Sequence, residues 1–485
     1  MSEPDSDGIV LSGSGFDFDA AAPAAAPARP ARATTPNQVL AIVCVGMVLA
    51  NIDLFIVNVG LPNIARDLGS HSLEDLSWVL NGYAITYAAL LVFFGRWAER
   101  HRRDRSFMLG VAVFTIASAA CSIADSVAAL VAYRVLQAAG AALMTPTSIG
   151  LLLATFPPER RGHAVRTWTA IGGLAAALGP VVGGALLEFS WRWIFLVNVP
   201  IGAVALLIGW WKLPAVPGHD APRPTLWPAI LITGGIAAVT LAIVKVNDWG
   251  WTAPATIASF AGAAICLALF VVHCLRAENP FVNPAMFKIR QYTGAALVMA
   301  PYSAAFGAML LSTVLWEQTE WGWSALKTGA AIAIGPLLVP TTSLLFGTKL
   351  IVRFGAARVI VAGIAFFAIG MIAWATLLGT EPNLFVAILT MAPVGIGVGL
   401  TFPTVMGVGT SALPSSMFAT GSGAINMIRQ SALAIGVAIF VAMVGSPADP
   451  IARMNAYDRG WWVMAGIIAL GLIPTFVLIR KKRAA

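Results

Sequence analysis

Long apolar runs separated by short polar segments repeat along the chain from residue 38 onward. Each run holds about 20 residues, the length that a helix needs to cross the hydrocarbon core of a bilayer. Barrel strands would be about 10 residues long and would alternate apolar with polar positions, so the pattern predicts helices only. The fourteen predicted spans lie near 39–60, 78–98, 106–124, 128–153, 163–187, 193–212, 227–246, 253–274, 292–315, 325–347, 356–378, 383–408, 419–444 and 460–479.

The composition supports a membrane protein, because 58% of the 485 residues are hydrophobic and only 11% are charged. Soluble chains carry roughly 25% charge. Residues 1–37 differ from the rest: they are first Asp-rich and then Ala- and Pro-rich, which predicts a disordered cytoplasmic tail. The cysteines lack metal-ligand spacing, so neither a metal nor another cofactor is predicted; they are Cys44, Cys121, Cys266 and Cys274.

The distribution of basic residues predicts the orientation of the chain. With a cytoplasmic N-terminus, 22 of the 30 Lys and Arg residues fall in the tails or cytoplasmic loops, and six fall in outer loops, including Arg453 and Arg459. The positive-inside rule therefore places both termini in the cytoplasm. The net charge of +8 then reflects topology and contact with anionic lipid head groups, so nucleic-acid binding is not expected.

A weak internal repeat predicts the domain organisation. Arg100-His101-Arg102 follows the second span and Arg353-Phe354-Gly355 follows the tenth, which suggests two six-helix halves with spans seven and eight inserted between them. The predicted units are the tail 1–37, an N-terminal six-helix bundle 38–212, a linker with two extra helices 213–290, and a C-terminal six-helix bundle 291–485 that ends in a short basic tail.

The loop after the second span, GRWAERHRRDRSFMLG (95–110), resembles the loop signature of major facilitator transporters, Gly-x-Leu-Ala-Asp-Arg-x-Gly-Arg-Arg. Glu99 stands where the signature has Asp, and Arg102 replaces its second Gly. The resemblance implies a charge latch that biases the inward–outward equilibrium, with Glu99 as its carboxylate. The alternative is a solvated basic loop. The matching positions are Gly95, Ala98, Arg100 and Arg103.

The fifth span, IGGLAAALGPVVGGALL (171–187), resembles the antiporter motif that is associated with exporters of this superfamily. Its glycines remove side chains, which lets a neighbouring helix approach closely. Pro180 deletes a backbone hydrogen bond and bends the helix. The alternative interpretation is that these glycines form a helix-packing motif that is common in membrane proteins. The glycines are Gly172, Gly179, Gly183 and Gly184.

Two arginines lie inside predicted spans, Arg134 in the fourth and Arg429 in the thirteenth. A charge there costs at least about 2.5–3.5 kcal/mol unless it meets a polar cavity or partner. Gln137 lies one helical turn from Arg134. We predict that Arg134, Gln137 and Arg429 serve proton coupling or substrate binding. The alternative for Arg134 is that its side chain extends to the membrane interface.

Proton coupling needs a carboxylate that can gain and lose charge, and Asp53 is the only one deep within a predicted span. Burial disfavours the anion, so a proton can compete for it. We predict that Asp53 and Asn58 take part in coupling or substrate binding; the alternative is a structural pairing of Asp53 with an arginine or with Asn residues. Glu317 and Glu320, at the outer end of the ninth span, are secondary candidates or else solvated helix ends.

Segments across nearly the whole chain after residue 38 resemble the fourteen-span drug:proton antiporters. They are LANIDLFIVNVGLPNIARDLG (49–69), WRWIFLVNVPIG (191–202), EQTEWGWSALKTG (317–329) and INMIRQSALAIGVA (425–438). The resemblance implies an all-α major facilitator fold with two six-helix bundles, and proton-coupled export by alternating access. We expect aromatic side chains to line a cavity and stack on a substrate, or else to pack against lipid; they are Tyr83, Tyr87, Trp168 and Trp316.

No nucleotide-binding or hydrolase motif is present, so we predict a transporter driven by an ion gradient rather than an enzyme. The expected partners are small-molecule substrates, protons and membrane lipids, and a monomer is expected. The main hypothesis is export of amphipathic or cationic drugs and antibiotics across the inner membrane, since the deep Asp53 favours cations. The alternatives are a dedicated exporter of an endogenous metabolite, siderophore or lipid, and a non-transporting scaffold or sensor.

Overall fold

The computed structural model describes residues 34–69, 72–218, 224–414, 417–445, 447 and 449–479. In these residues it contains helices and turns but no strand, so the prediction of an all-α membrane protein is confirmed. Fourteen helices are long and apolar enough to cross a membrane. They are α1 Pro36–Asp67, α2 Leu73–Arg100, α3 Arg103–Ser122, α4 Val127–Thr155, α5 Pro158–Leu187, α6 Trp193–Lys212, α7 Trp227–Val244, α8 Pro254–Arg276, α9 Arg290–Glu320, α10 Ala325–Phe354, α11 Ala356–Leu377, α12 Leu384–Ser411, α13 Thr420–Val444 and α14 Pro450–Ile479.

Local sequence sets where α1 and α14 begin. Thr35 caps α1 through a capping box with Gln38, and Pro36 takes the first helical position. Most of the predicted N-terminal tail, residues 1–33, lies outside the described residues, as does the basic segment 480–485.

The start of α14 is the largest departure from the predicted spans. The helix begins at Pro450, well before 460, because the Asp449 side chain accepts a hydrogen bond from the Ala452 N–H at 2.7 Å. The prediction that Arg453 and Arg459 lie in a loop is therefore wrong. Both lie in polar helical turns that a search for apolar runs passes over.

Helices α1–α6 and α9–α14 form two six-helix bundles with matching contacts. In the first bundle α1 packs on α5, α2 on α4, and α3 on α4. In the second bundle α9 packs on α13, α10 on α12, and α11 on α12. Each pair in the second bundle is the first-bundle pair displaced by eight helices. That displacement is expected of two six-helix repeats separated by two inserted helices.

The two bundles meet along a seam where α2 packs on α13 and α5 packs on α10. Because the number of spanning helices is even, α1 starts and α14 ends on the same face of the molecule, which we call the terminal face. The opposite one is the distal face. Helix α5 ends and α10 begins at the distal face, and this places their contact there.

The inserted pair α7–α8 lies across the α2–α13 half of the seam. Helix α7 contacts both α2 and α13, and α8 packs mainly on α7. At the distal face Lys245 forms an ion pair with Asp75 at 3.3 Å, and Asn247 donates a hydrogen bond to the Ala442 carbonyl at 2.8 Å. At the terminal face Arg96 donates to the backbone carbonyls of 279–280. The insertion is therefore fastened to both bundles.

Candidate functional site

A buried ion pair lies inside the first bundle. Asp53 in the middle of α1 and Arg134 in α4 are both fully buried, and Arg134 Nη1 donates to Asp53 Oδ2. The same nitrogen donates to Gln137 Oε1 at 2.6 Å, and Gln137 Nε2 donates to Asp53 Oδ1 at 2.7 Å. The three side chains thus close a ring of hydrogen bonds. The side chain of Arg134 does not extend to the membrane interface, because a carboxylate and an amide hold it in the core.

Three further helices supply groups to this network. Gln137 Nε2 donates to Ser118 Oγ at 2.8 Å, and Asn198 Nδ2 lies 3.4 Å from Asp53 Oδ1. Arg134 Nε donates to the Val79 carbonyl at 3.3 Å. The network therefore ties together α1, α2, α3, α4 and α6. Sequence reasoning did not single out Ser118 or Asn198. Asn198 had a signal, as an amide within the apolar opening of the sixth span; Ser118 had none.

The Asp53–Arg134 pair is sealed from solvent. The side chains of both residues have no exposed surface. Protonating Asp53 removes the counter-charge of Arg134, and an uncompensated buried charge costs about 3–5 kcal/mol. Arg134 Nη2 makes no hydrogen bond within the described residues, so the guanidinium has a donor available for another partner.

The glycines of α5 pack against α1 beside the ion pair. A Cβ atom added at Gly179 would lie 2.8 Å from Phe55 Cβ, and one at Gly183 would lie 2.8 Å from Ile56 Cγ1. Gly172 faces α1 in the same way, against the Met47 side chain. These contacts confirm the predicted close approach of a neighbouring helix. They also place α5 on the part of α1 that carries Asp53.

A second contact of α5 crosses the seam to α10. A Cβ atom at Gly184 would lie 2.5 Å from Leu326 Cα, and one at Gly329 would lie 2.1 Å from the Pro180 carbonyl oxygen. The two backbones are therefore in direct contact at the distal face. The sequence predicts that α5 packs closely against a neighbour, but it does not predict that α10 is one of those neighbours.

Next to the loop between α2 and α3, the carboxylate with polar contacts is Asp104 at the start of α3, and the latch role of Glu99 stays a prediction. Glu99 makes no ion pair or hydrogen bond in the part of the chain that the structure describes. Asp104 instead pairs with Arg102 at 2.6 Å and accepts a hydrogen bond from the Val216 N–H at 3.2 Å. The hydrogen bond to Asp104 raises the pKa of the Arg102 guanidinium. The Arg102 side chain is exposed, whereas Asp104 is buried.

The remaining latch positions hold the loop to its neighbours. Arg103 Nη1 donates to the Gly150 carbonyl of α4 at 3.3 Å. The Arg100 carbonyl oxygen lies 2.2 Å from the position of a Cβ atom at Gly218, in the segment that follows α6. A Cβ atom added at Gly95 would have no atom within 4 Å, so close packing does not require a glycine at this position.

Of the two carboxylates predicted at the end of α9, Glu317 is buried and Glu320 is partly exposed. Glu317 is 1% exposed on a π-helical turn, and its Oε2 makes no hydrogen bond among the described residues. Glu320 forms an ion pair with Arg453 of α14 at 2.9 Å. Neither residue contacts the Asp53 network. Asn58 is also buried apart from it, with its Oδ1 unbonded in the described structure.

Residues 43–437 match the Major Facilitator Superfamily. The chain belongs to that superfamily. It is therefore a multi-pass membrane transporter, and its fold is the major facilitator fold with two inserted central helices. The resemblance of the α2–α3 loop and of the α5 glycine string to superfamily motifs agrees with this assignment.

Individual relatives differ in what their names say they transport. The chain is 31% identical over 416 residues to the tetracenomycin C resistance and export protein of Streptomyces glaucescens, covering 84% of this chain and 75% of the relative. It is 26% identical over 456 residues to the riboflavin transporter RibZ of Clostridioides difficile (strain 630), covering 91% and 97%. A crystal structure of the peptide transporter POT in complex with sulfate matches with a TM-score of 0.69 at 16% identity, covering 91% of this chain and 94% of that chain, which shows a shared fold only.

Most of the predicted cavity aromatics of this major facilitator protein lie in packed interiors. Tyr83, Trp168 and Trp316 are at most 6% exposed, and Arg134 Cζ lies 4.1 Å above the Tyr83 ring. Tyr87 is the half-buried member of the set. It stacks on Tyr83 with 6.0 Å between ring centroids. The pair Tyr83–Tyr87 thus leads from the buried ion pair toward the seam.

Proposed function

We propose that this protein is a proton-coupled exporter of small amphipathic compounds, such as drugs or antibiotics, across the cytoplasmic membrane by alternating access. The observation that carries the proposal is the sealed Asp53–Arg134–Gln137 ring. Proton antiport requires a carboxylate whose access to water changes with conformation, and Asp53 is such a group if the bundles rock. The name of the Streptomyces glaucescens relative supports export of an antibiotic-like substrate.

A continuous chain of contacts connects the proton site to the distal closure. Phe55 and Ile56, two and three residues after Asp53, pack on the α5 glycines. The same α5 packs on Leu326 and Gly329 of α10 across the seam. Movement of α1 on protonation is therefore passed to the helix that closes the distal face. The proton and the substrate then act on the same movement between two states, and allosteric coupling between them requires such a shared movement.

A dedicated exporter of an endogenous compound is the second candidate. It is favoured by the similarity to a riboflavin transporter, because that relative's name specifies a metabolite. The proton site serves both candidates equally well. A scaffold or sensor has less support, since a buried ion pair and a glycine-packed seam serve no purpose without movement.

We also propose that the terminal face is cytoplasmic and that the membrane is a bacterial inner membrane. Single cysteines in a background without native cysteines test the orientation. An impermeant maleimide should label Glu381→Cys, in the α11–α12 loop, in intact cells. It should label Lys288→Cys, between α8 and α9, only after permeabilisation. The reverse pattern would overturn the orientation; the cysteine-free parent is the control.

Export itself is tested in proteoliposomes that carry an imposed pH gradient. Three probes are compared. Ethidium is the cationic amphipathic probe and sulforhodamine is the anionic one. The third probe is a metabolite extract of the organism that encodes the protein. We expect accumulation of a probe against its concentration gradient, in exchange for protons, that stops when a protonophore is added. Transport that ignores the protonophore in every arm would contradict proton coupling.

A further inference from the structure

The second arginine inside a span, Arg429 of α13, lacks the carboxylate partner that Arg134 has. No Asp or Glu oxygen of the described chain lies within 4.0 Å of its guanidinium, and only its Nε makes a hydrogen bond, to Asn426 Oδ1 at 3.3 Å. The side chain is half-buried in the middle third of the helix. A cation at that depth is costly without a polar partner, so its free terminal nitrogens point to a ligand.

A chain of aromatic rings leads from this arginine to the first bundle. Its Cζ lies 5.4 Å from the Phe402 ring centroid, and Phe402 stacks on Tyr302 at 6.4 Å. Tyr302 stacks on Phe306 at 6.2 Å, and Phe306 meets Phe55 of α1 edge-on at 6.4 Å. The first bundle therefore reaches the cluster through α1.

Tyr87 brings α2 to the same place. The Arg429 guanidinium is within electrostatic reach of the Tyr87 and Tyr302 side chains, which come from opposite bundles. The Tyr87 hydroxyl also shares a hydrogen bond with Thr145 Oγ1 at 3.1 Å. Arg429, Tyr87, Tyr302, Phe306, Phe402 and Phe55 thus form one cluster at the seam, which we call the Arg429 cluster.

We infer that the Arg429 cluster is the substrate site of the proposed exporter and that it selects planar aromatic compounds bearing a carboxylate or similar anion. The inference rests on the proposed export function and names its substrate class. The two free guanidinium nitrogens match a carboxylate in a bidentate pair. The ring faces match a planar hydrophobic body.

This inference replaces the cationic preference expected from Asp53. In this conformation Asp53 is fully buried and already paired with Arg134, so it is not open to a cationic ligand. Arg429 presents the free charge at the seam, and it repels ammonium groups. The two arginines within spans therefore have different tasks: Arg134 holds the proton site, and Arg429 holds the substrate.

The test is equilibrium binding of three matched probes to purified protein in detergent: naphthoate, naphthamide and naphthylmethylamine. Charge-assisted hydrogen bonds to a bidentate arginine predict that wild type binds naphthoate about tenfold or more tightly than naphthamide, and the amine weakest. Arg429→Gln should bring naphthoate and naphthamide to equal affinity. Arg429→Lys should retain part of the preference, and Arg276→Gln, at an exposed position at the end of α8, should retain all of it.

Wild type that binds naphthoate no more tightly than naphthamide, including detectable binding of neither, would overturn the inference. So would a folded Arg429→Gln variant with an unchanged preference. If that variant does not fold, the wild-type ranking and Arg429→Lys decide. Binding is measured without any gradient, so a failure of proton coupling leaves this result intact, and the two proposals can fail separately.

Discussion

Asp53→Asn should reduce gradient-driven export to the level of empty vesicles. The amide keeps the shape of the carboxylate and can still hydrogen-bond to Gln137, but it cannot bind and release a proton. Without that exchange the pH gradient has no group through which to act on α1. The measurement is probe accumulation in proteoliposomes under an imposed pH gradient, with wild-type vesicles prepared in parallel.

Loss of folding is a competing explanation, because the substitution leaves Arg134 buried without its counter-charge. Removing one partner of a buried pair costs about 3–5 kcal/mol, so Asp53→Asn should also lower the thermal stability. The double variant Asp53→Asn/Arg134→Gln removes both charges. It should recover much of the stability without recovering transport. A double variant that still accumulates probe against its gradient would remove the pair from the mechanism.

Gly184→Leu should stop transport while leaving each bundle intact. The ideal Cβ position at Gly184 is 2.5 Å from a backbone atom of α10, so the added side chain cannot be accommodated by a rotamer change. Helices α5 and α10 must separate, and the distal face then cannot close. Because the contact lies between bundles rather than within one, we expect near-normal thermal stability together with transport lost by about tenfold or more, as for a blocked conformational step.

The matched control is Gly173→Leu on the same helix, where a Cβ atom would meet nothing within 4 Å. It should transport normally. Separation of the bundles is measured by labelling a cysteine introduced as Gln318→Cys. Gln318 reports on the seam because it donates a hydrogen bond across it to the Val59 carbonyl at 2.9 Å. Maleimide labelling of this cysteine in detergent should accelerate in Gly184→Leu and not in Gly173→Leu. Unchanged labelling with normal transport would show that the α5–α10 contact is not the closure.

The sequence was sufficient for the fold because a bilayer imposes strong rules on it. Backbone N–H and C=O groups in lipid must be hydrogen-bonded within the protein, so every span is a helix. Apolar runs of about 20 residues mark where these helices lie in the chain. The same reasoning singled out Asp53, Arg134 and Gln137, since polar groups at depth are costly and need partners. It did not predict that these three side chains meet one another, because the distance between helices is a tertiary property.

Three features were beyond reach for physical reasons. Ser118 joins the network through packing, and a serine is not unusual in a membrane helix; Asn198 is an amide within an apolar run, but its partner lies on another helix. Glu317 is buried by a π-helical turn whose register no apolar pattern reveals. Asp104, at the start of α3, is held by the segment that follows α6, whose Val216 N–H donates to it. Each depends on contacts between elements far apart in the chain.

Proton release on substrate binding tests the central claim most directly. A probe that is transported in the vesicle assay is added to wild type and to Asp53→Asn/Arg134→Gln in weakly buffered detergent, and the pH is followed with a soluble indicator. If proton and substrate weaken each other's binding, wild type that starts with a proton on Asp53, at low pH, should release protons on addition of the probe, and the double variant should release none while still binding it. Equal proton release by both proteins would contradict the assignment of Asp53 as the coupling carboxylate.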